Sequence, residues 1–293
     1  MAADRIITCT NAKGYSMSFT EQGFTPFLLA KANGIYDAEN TIFSTNNTML
    51  DGAEYQGSVM AIRNITLILK DKKPFADNRD KISILFDKGS LGTLTVEDEG
   101  HKRSIEYYVE SITSTATPDV RYTTISLLCP NPHFYDPCTT KVGIMTMQSC
   151  FEFIHEFKAE GEEFSFINEE LIRNIVNNSA EDNIGLTITF MSTSTTVNPS
   201  ITKVETNETL KIGTESKPFE LHAGDKLVIS TIVGSKNVYL IHDGVSTDIN
   251  EYLSYDSSFM SLNRGDNNFG LDANDGKSYL VAEIAYRYSY ARA

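Results

Sequence analysis

Apolar and polar residues alternate one by one along several stretches of this 293-residue chain. Apolar side chains fill every second position from Ile184 to Phe190, with glycine and threonine between most of them. The same period of two recurs from Val59 to Leu69 and from Ser278 to Tyr288. This period places one set of side chains on a single face of an extended strand. The alternation therefore predicts a mainly β protein.

One segment has a helical period instead. Ile82, Leu85 and Phe86 stand at spacings i, i+3 and i+4, which puts them on one face of a helix. Asp77 is a residue type that caps helix N-termini, and Gly89 follows the last apolar position. We predict one short helix that begins near Asp77 and ends before Gly89.

A proline-rich segment divides the sequence. Residues 129–138 hold three prolines in ten positions, and proline removes backbone donors and keeps its neighbour extended. We place a domain boundary there, between residues 1–137 and 138–293. In the second part, short alternating strands separated by glycine turns favour an antiparallel β-sandwich. Residues 150–178 fit a helix or strands equally well and are left unassigned.

The formal net charge of −14, from 39 acidic and 25 basic residues, disfavours stable DNA binding, because that affinity comes from basic side chains that neutralise phosphates. No apolar run is long enough to span a bilayer, and residues 1–5 do not open a signal peptide. We expect synthesis in a cytoplasm and no membrane insertion. The four cysteines form no CxxC pair, and we expect them to be reduced and buried.

Two groups of residues in the sequence are of types found in metal sites or enzyme active sites. Cys129, His133, Cys138 and Cys150 are of types that zinc prefers, but their spacing does not match the usual C-x2-4-C pairs. A glycosidase needs two carboxylates that face each other across a cleft, whereas the densest acidic cluster, residues 97–99, stands in a predicted hairpin turn. The sequence holds no G-x-S-x-G nucleophile motif. We predict no catalytic residues, no metal and no cofactor.

A known family is suggested by the segment Asp51-Gly52-Ala53-Glu54-Tyr55-Gln56-Gly57, which is followed by Arg63 on a strand. It resembles the Asp-Gly-Ala-x-Tyr-x-Gly segment of the siphophage distal tail proteins. Asn131-Pro132-His133-Phe134-Tyr135 is similar to the Asp-Pro-Phe-Phe-Tyr segment of that family, with Asn131 for Asp and His133 for Phe. In the second half, Asn198-Pro199-Ser200-Ile201 and residues 262–267 resemble its galectin-like domain.

The resemblance implies a β-rich, ring-forming N-terminal domain with one short helix (1–137) and a galectin-like antiparallel β-sandwich (138–293). In some members of the family the final strand, here 278–290, returns to the first domain. The implied assembly is a homohexameric ring at the tail tip of the virion. It would join the tail-tube protein to tail-associated adhesion proteins and let DNA pass through an axial channel without stable binding. The chain would be synthesised in the cytoplasm of a bacterial host.

The resemblance also implies a ring-interface site, formed by Asp51, Gly52, Ala53, Tyr55, Gly57 and Arg63. The two glycines allow backbone angles that other residues avoid, the alanine permits close approach, and the tyrosine gives a rigid contact with one polar end. Arg63 can be interpreted as an interface ion-pair partner or as a strand residue at an exposed edge. The resemblance favours the interface.

A carbohydrate-binding module is the alternative function. A galectin-like sandwich is a scaffold on which sugars bind, and it would contact host cell-wall glycans. The chain has no tryptophan, but its fourteen tyrosines could stack on sugar rings. Tyrosine is equally common at protein interfaces, so composition alone does not decide between the two functions.

Overall fold

The structure is a computed structural model that describes residues 5–22, 26–46, 51–71, 73–118, 120–144, 147–149, 165–167, 172–179 and 181–293. The chain divides into two compact units. The first unit comprises Met1–Pro137 together with Ser289–Ala293, and the second comprises Cys138–Tyr288. The division lies at the end of the proline-rich segment, where the sequence places its domain boundary.

The described part of residues 1–137 contains ten strands and one helix. The strands are β1 (Ile6–Thr10), β2 (Ser16–Thr20), β3 (Phe27–Asn33), β4 (Asn40–Asn46), β5 (Ala53–Met60), β6 (Arg63–Asp71), β7 (Gly92–Asp98), β8 (His101–Ala116), β9 (Arg121–Cys129) and β10 (Phe134–Tyr135). Helix α1 (Phe75–Leu85) lies between β6 and β7.

Seven of these strands form one antiparallel sheet in the order β2-β1-β7-β8-β9-β6-β3. The sixteen-residue β8 pairs with β7 through its first half and with β9 through its second half. The two outer strands of this order, β2 and β3, meet at Phe19 and Phe27, whose ring centroids lie 6.1 Å apart. The sheet therefore curls around an apolar interior.

The apolar residues of the alternating segments fill this interior. On β6, Ile65, Leu67 and Leu69 are buried. Leu127 and Ile125 lie opposite the first two of them on β9 and are buried as well. The predicted half-buried strand is confirmed for this part of the chain.

Helix α1 is present, but it begins earlier than predicted. Its first residue is Phe75 and Pro74 occupies the N-cap position, so Asp77 is not the cap. Asp77 lies instead in the first turn, where a carboxylate interacts favourably with the helix dipole. The sequence signal was therefore correct for the helix and wrong for its start.

The predicted apolar face of the helix packs into the first unit. Ile82 and Leu85 are buried, as is Phe86 at the C-cap. The Phe86 ring lies 6.4 Å from the ring of Phe19 and 6.1 Å from that of Tyr107, measured between centroids. These contacts join the helix to the core of the sheet.

The segment from Val59 to Leu69, predicted as one strand, is two strands. β5 ends at Met60 and β6 begins at Arg63, so the chain breaks between them. Among the described residues, β5 pairs with β4 alone, whereas β6 lies between β9 and β3 inside the main sheet. The expectation of a single strand is therefore wrong, because the alternation of apolar and polar residues continues across a break that a period of two does not reveal.

The described part of the second unit contains fourteen strands and two short 3-10 helices, Asn250–Tyr252 and Lys277–Tyr279. The strands are β11 (Thr140–Ile144), β12 (Met147–Ser149), β13 (Ser165–Ile167), β14 (Ile172–Asn177), β15 (Leu186–Ser192), β16 (Thr196–Val197), β17 (Ser200–Lys203), β18 (Glu208–Lys211), β19 (Glu220–Leu221), β20 (Lys226–Ser230), β21 (Asn237–His242), β22 (Val245–Asp248), β23 (Gly265–Asp272) and β24 (Leu280–Tyr286). The last strand of the chain, β25 (Ser289–Tyr290), belongs to the first unit.

Two antiparallel sheets share the core of the second unit. One has the order β11-β24-β15-β20-β21-β22 and the other β14-β23-β17-β18. Leu186, Ile188 and Phe190 of the first sheet and Ile201 and Phe269 of the second are buried in one cluster. The prediction of a mainly β protein is confirmed, and the galectin-like character of this unit stays a prediction. Of the unassigned stretch 150–178, β13 and β14 are strands, and residues 150–164 and 168–171 lie outside the described part.

The final stretch, predicted as one strand over 278–290, is divided between the units. β24 pairs with β11 and β15 in the second unit. β25 pairs with β10 in the first unit, with Phe134 opposite Tyr290. No helix in the described part of the chain is both long and apolar enough to cross a membrane.

Candidate assembly surface

Two strands of the first unit stand apart from its main sheet. β4 and β5 pair with each other, and neither pairs with another strand of the described residues. Every residue of β4 is exposed, and β5 has only two half-buried residues, Gly57 and Met60. We call this two-stranded ribbon, residues 40–46 and 51–60, the arm.

Both faces of the arm carry exposed apolar side chains. Neighbouring residues on a strand point to opposite faces, so Ile42 and Phe43 lie on different faces. Val59 pairs with Thr41 and shares the face of Phe43, whereas Tyr55 pairs with Ser44 and shares the face of Ile42. The exposed fractions are 65% for Ile42, 50% for Phe43, 64% for Tyr55 and 55% for Val59. Neither face is covered by the described part of this chain.

Five of the six predicted interface residues lie in the second half of the arm. Asp51 and Gly52 form the bend before β5, Ala53 and Tyr55 lie in its first half, and Gly57 lies within it. All five are exposed except Gly57, which is half-buried. The structure therefore collects them on one exposed element, and their contact with a neighbouring subunit stays a prediction.

The two glycines adopt positive φ angles, as expected for positions that favour glycine over a residue with a side chain. Gly52 has φ 96° and Gly57 has φ 149°, both in a region that residues with a side chain rarely adopt. The pairing register shifts by one residue between Phe43 and Ser44, next to Gly57. Such a bulge increases the local twist of a ribbon. The hydroxyl of Tyr55 donates to Ser58 Oγ at 2.9 Å, which anchors the polar end of the exposed ring.

The sixth predicted residue, Arg63, is not on the arm's surface. It is only 7% exposed, and its guanidinium donates to the backbone carbonyls of Gly34, Asp37, Pro132 and Ala291. Neither interpretation from the sequence, an interface ion pair or an exposed strand edge, describes this position. The correction follows from the topology, because Arg63 opens a strand inside the sheet and points into the first unit.

Sequence reasoning missed the apolar residues of the first half of the arm. Ile42 and Phe43 are adjacent, so they do not alternate, and they stand in a run rich in asparagine and threonine. Adjacent apolar residues on a strand indicate that both faces are meant to be covered. That signal was available, but nothing in the sequence set it apart from a short buried strand.

The candidate metal and thiol site is not assembled in the described residues. Cys9 and Cys129 are buried, and burial raises the pKa of the Cys129 thiol to about 12, which keeps it protonated and a poor ligand or nucleophile. Cys138 is exposed, so the expectation that all cysteines are buried is wrong. Cys150 lies outside the described residues. Among the described residues, no cluster of three or more His, Cys, Asp and Glu side chains could hold a metal ion.

The acidic cluster at residues 97–99 lies in a hairpin turn, as predicted. Glu99 and Gly100 have φ 48° and 86° and connect β7 to β8, which is the geometry of a tight two-residue hairpin turn. Asp98 accepts a hydrogen bond from the hydroxyl of Tyr36, and Glu97 pairs with Lys102 at 3.0 Å. These carboxylates are used in local contacts on the surface and do not face each other across a cleft.

Comparison with known proteins relates the second unit to a family. Residues 179–290 match the family model described as siphovirus-type tail component, C-terminal domain. This part of the chain is therefore similar to the C-terminal domain of siphovirus-type tail components. This result supports the resemblance to the siphophage distal tail proteins that segments in both halves of the sequence indicated. No curated protein sequence matches the chain.

Solved structures share the fold of this chain over nearly its whole length. One is the crystal structure of SPP1 Dit, described as a paradigm of the hub adsorption apparatus in phages that infect Gram-positive bacteria. It has a TM-score of 0.68 and 12% identity, over 97% of this chain and 99% of the other. Another is the phage P2 baseplate in its activated conformation with calcium, with a TM-score of 0.53 and 9% identity, over 99% and 100% of the two chains.

Proposed function

We propose that this protein is a structural, non-enzymatic hub subunit at the phage tail tip, and that six copies close into a ring through the arm. The ring would link the tail-tube protein to the tail-associated adhesion proteins and leave an axial channel for DNA. The observation that carries the proposal is the arm itself, a ribbon with exposed apolar residues on both faces. The number six comes from the family resemblance.

An uncovered ribbon of this kind needs a partner. A two-stranded hairpin alone is marginally stable in water, because it has no second layer against which to bury its side chains. Packing Ile42, Phe43, Tyr55 and Val59 against another molecule would remove a large part of their apolar area from water, at about 25 cal/mol per Å². A second copy of this chain is the simplest such partner.

A cyclic arrangement suits an arm of this shape. In a head-to-tail contact, the arm of one subunit lies on a different surface of the next, and the contact closes when the rotation returns to its start. Two of the solved structures with the same fold come from a hub adsorption apparatus and a baseplate, which is consistent with a ring. The net charge of −14 would help DNA pass, since like charge repels phosphates.

The test is the mass and shape of the full chain in solution. Light scattering after size-exclusion chromatography should give six times the 32.6 kDa of one chain at high concentration, and negative-stain images should show a six-fold ring with a hole. Ile42→Ser with Tyr55→Ser, and separately Phe43→Ser with Val59→Ser, should shift the mass towards one chain. Circular dichroism should stay unchanged, since the four side chains are exposed within the subunit.

Matched controls remove equally exposed apolar groups elsewhere. Ile84 on helix α1 is 56% exposed and Val245 on β22 is 65% exposed. Ile84→Ser and Val245→Ser should leave the assembly intact. A wild-type chain that stays monomeric at high concentration, and also fails to assemble with tail-tube or adhesion proteins, would refute the ring.

Carbohydrate binding by the second unit stays a second candidate because of one tyrosine. The ring of Tyr255 is fully exposed, at 104% of its reference area, and an exposed aromatic ring can stack on a sugar. Binding of the full chain to cell-wall glycans that is lost in Tyr255→Ala, with the ring assembly unchanged, would support this function. Equal binding by both proteins would argue against that site.

A further inference from the structure

Arg63 connects three separate segments of the first unit. Its Nε donates to the carbonyl of Pro132 at 2.9 Å, and Nη1 donates to Gly34 at 2.7 Å and also to Asp37. Nη2 donates to the carbonyl of Ala291 at 2.5 Å. The segments are the loop before the arm, the proline-rich segment, and residues 289–293.

Only an arginine can hold these groups together. Its planar fork presents five donors in fixed directions, whereas a lysine offers one point charge. Burial lowers the pKa of Arg63 from its ordinary value, yet an arginine keeps its charge at any physiological pH. The charge is balanced by carbonyl dipoles and by the ring of Phe134, whose centroid lies 5.1 Å from the guanidinium carbon.

These contacts surround the base of the arm. The loop Gly34–Asp37 leads into β4, and Arg63 follows the end of β5 by three residues. The amide of Ala61 donates to the carbonyl of Glu39 at 2.9 Å and closes the ribbon at its base. Both ends of the arm therefore run directly into the group of atoms that Arg63 holds.

Residues 289–293 form the third side of this group. Ser289 and Tyr290 pair with β10, the amide of Ala293 donates to the carbonyl of Ile35 at 3.3 Å, and the guanidinium of Arg103 donates to the carbonyl of Arg292 at 2.7 Å. The contact with Ile35 reaches the loop that leads into the arm. The last residues of the sequence thus touch the segment that sets where the arm begins.

We propose that Arg63 and residues 291–293 form a clamp that fixes the direction in which the arm leaves the first unit. Arg63 is a positioning residue in this arrangement, not an interface residue. Because of this clamp, docking of the arm on a second copy of this chain depends on residues 291–293. This inference rests on the proposed ring. Its partner is therefore another subunit, and its effect is to order the arm before it docks.

The experiment compares the full chain with a chain that ends at Tyr290 and with Arg63→Lys. Amide hydrogen exchange is measured at low concentration, where the subunit is dissociated, and the amide of Ala61 reports on the base of the arm. Without residues 291–293, exchange there should rise by about tenfold or more, because hydrogen bonds to charged groups contribute this much to local stability. Amides of β7 and of the second unit should keep their wild-type rates, which shows that both units remain folded.

Assembly is then measured by light scattering on the same proteins. The shortened chain and Arg63→Lys should need at least about tenfold more protein to form the ring, since an arm ordered only part of the time binds in proportion to that fraction. A matched control, Lys277→Arg, changes a cation of the second unit that pairs with Asp272 at 2.9 Å and should behave as wild type.

The outcomes separate the clamp from the ring. If exchange at Ala61 rises but no protein forms a ring, the clamp stands and the ring proposal fails. If the shortened chain exchanges and assembles as the full chain does, the clamp is refuted whether or not Arg63→Lys folds. Unchanged exchange together with weaker assembly would also refute it, because residues 291–293 would then act by direct contact and not through the arm.

Discussion

The carboxylate of Asp71 meets the guanidinium of Arg121 at two points, with 2.6 Å between Oδ2 and Nη2 and 3.1 Å between Oδ1 and Nε. The two residues lie directly opposite each other at the ends of β6 and β9. The Asp71 side chain is completely buried, and that of Arg121 is 10% exposed. β6 therefore has a buried charge at each end, Arg63 at its start and Asp71 at its end.

Removing one partner of this ion pair should destabilise the first unit. Asp71→Asn leaves the Arg121 charge buried without its counter-charge, and we expect the free energy of unfolding to fall by about 3–5 kcal/mol. Urea unfolding, monitored by amide exchange on β6 and β9, would measure this loss in the free energy of unfolding. The control is Asp87→Asn, which breaks an exposed pair with Lys13 at 2.9 Å and should leave the free energy of unfolding nearly unchanged, because water screens exposed pairs. Equal losses in both variants would contradict the prediction.

Close packing predicts a second effect at Gly92, the first residue of β7. A Cβ added there would lie 2.4 Å from Cζ of Tyr107, whose ring is 1% exposed and fixed in the core. Gly92→Ala should therefore lower the free energy of unfolding by about 1–3 kcal/mol. The double variant with Tyr107→Leu removes the obstructing ring, so the alanine should add little further loss to that of Tyr107→Leu alone. A loss from the alanine that is just as large in the Tyr107→Leu background would show that backbone conformation, not contact with the ring, is its cause.

The sequence predicted the parts of the fold that follow from local periodicity. Ile65, Leu67 and Leu69 were assigned to a buried face because a period of two is a local property. The start of helix α1 was missed because Pro74 and Asp77 are both acceptable near a helix N-terminus, and tertiary contacts of Phe75, such as its ring 5.2 Å from the Arg121 guanidinium, come from residues far along the chain.

The candidate site was predicted in part for the same reason. Gly52 and Gly57 mark unusual backbone angles that a sequence segment can record on its own. The burial of Arg63 depends on Pro132 and on Ala291, which stands 228 positions later, and no pattern near Arg63 encodes those partners. The apolar residues Ile42 and Phe43 indicate an interaction surface only because β4 lies outside the main sheet of the first unit.

A histidine in the second unit should report on pH. Nδ1 of His242 lies 2.6 Å from Oδ1 of the buried Asp225. This hydrogen bond and the charge of Asp225, with a smaller effect of Asp243, raise the pKa of His242 above its usual value of 6.5. The stability that the pair contributes is therefore fully present below pH 6.5 and is lost as the pH rises through the raised pKa.

An NMR titration of the His242 ring protons would measure this shift. Asp225→Asn should bring the pKa of His242 down by more than Asp243→Asn does, because Asp225 supplies both the hydrogen bond and the nearer charge. If the two variants lower it equally, the direct hydrogen bond is not the main cause.

Lys203 gives a pH dependence of the opposite sign. Its side chain is 1% exposed, and its ammonium donates to the carbonyl of Ser261 at 2.8 Å. Burial lowers the pKa of Lys203 from its ordinary value of 10.5, although Glu208, Glu205 and Asp182 act against the shift. Between the lowered folded pKa and 10.5, the unfolded chain binds more protons than the folded one, so the stability of the second unit should rise with pH there.

Comparing the wild type with Lys203→Met isolates this contribution. As the pH rises through that window, the free energy of unfolding of the wild type should gain on that of the variant, by at most about 1.4 kcal/mol per pH unit, the limit for one proton. Urea unfolding at several alkaline pH values measures the difference, which cancels titrations that both proteins share. Lys226→Met, which removes an exposed lysine, serves as the control. A constant difference between wild type and Lys203→Met would mean that the Lys203 ammonium is as well solvated by its surroundings as it is in water.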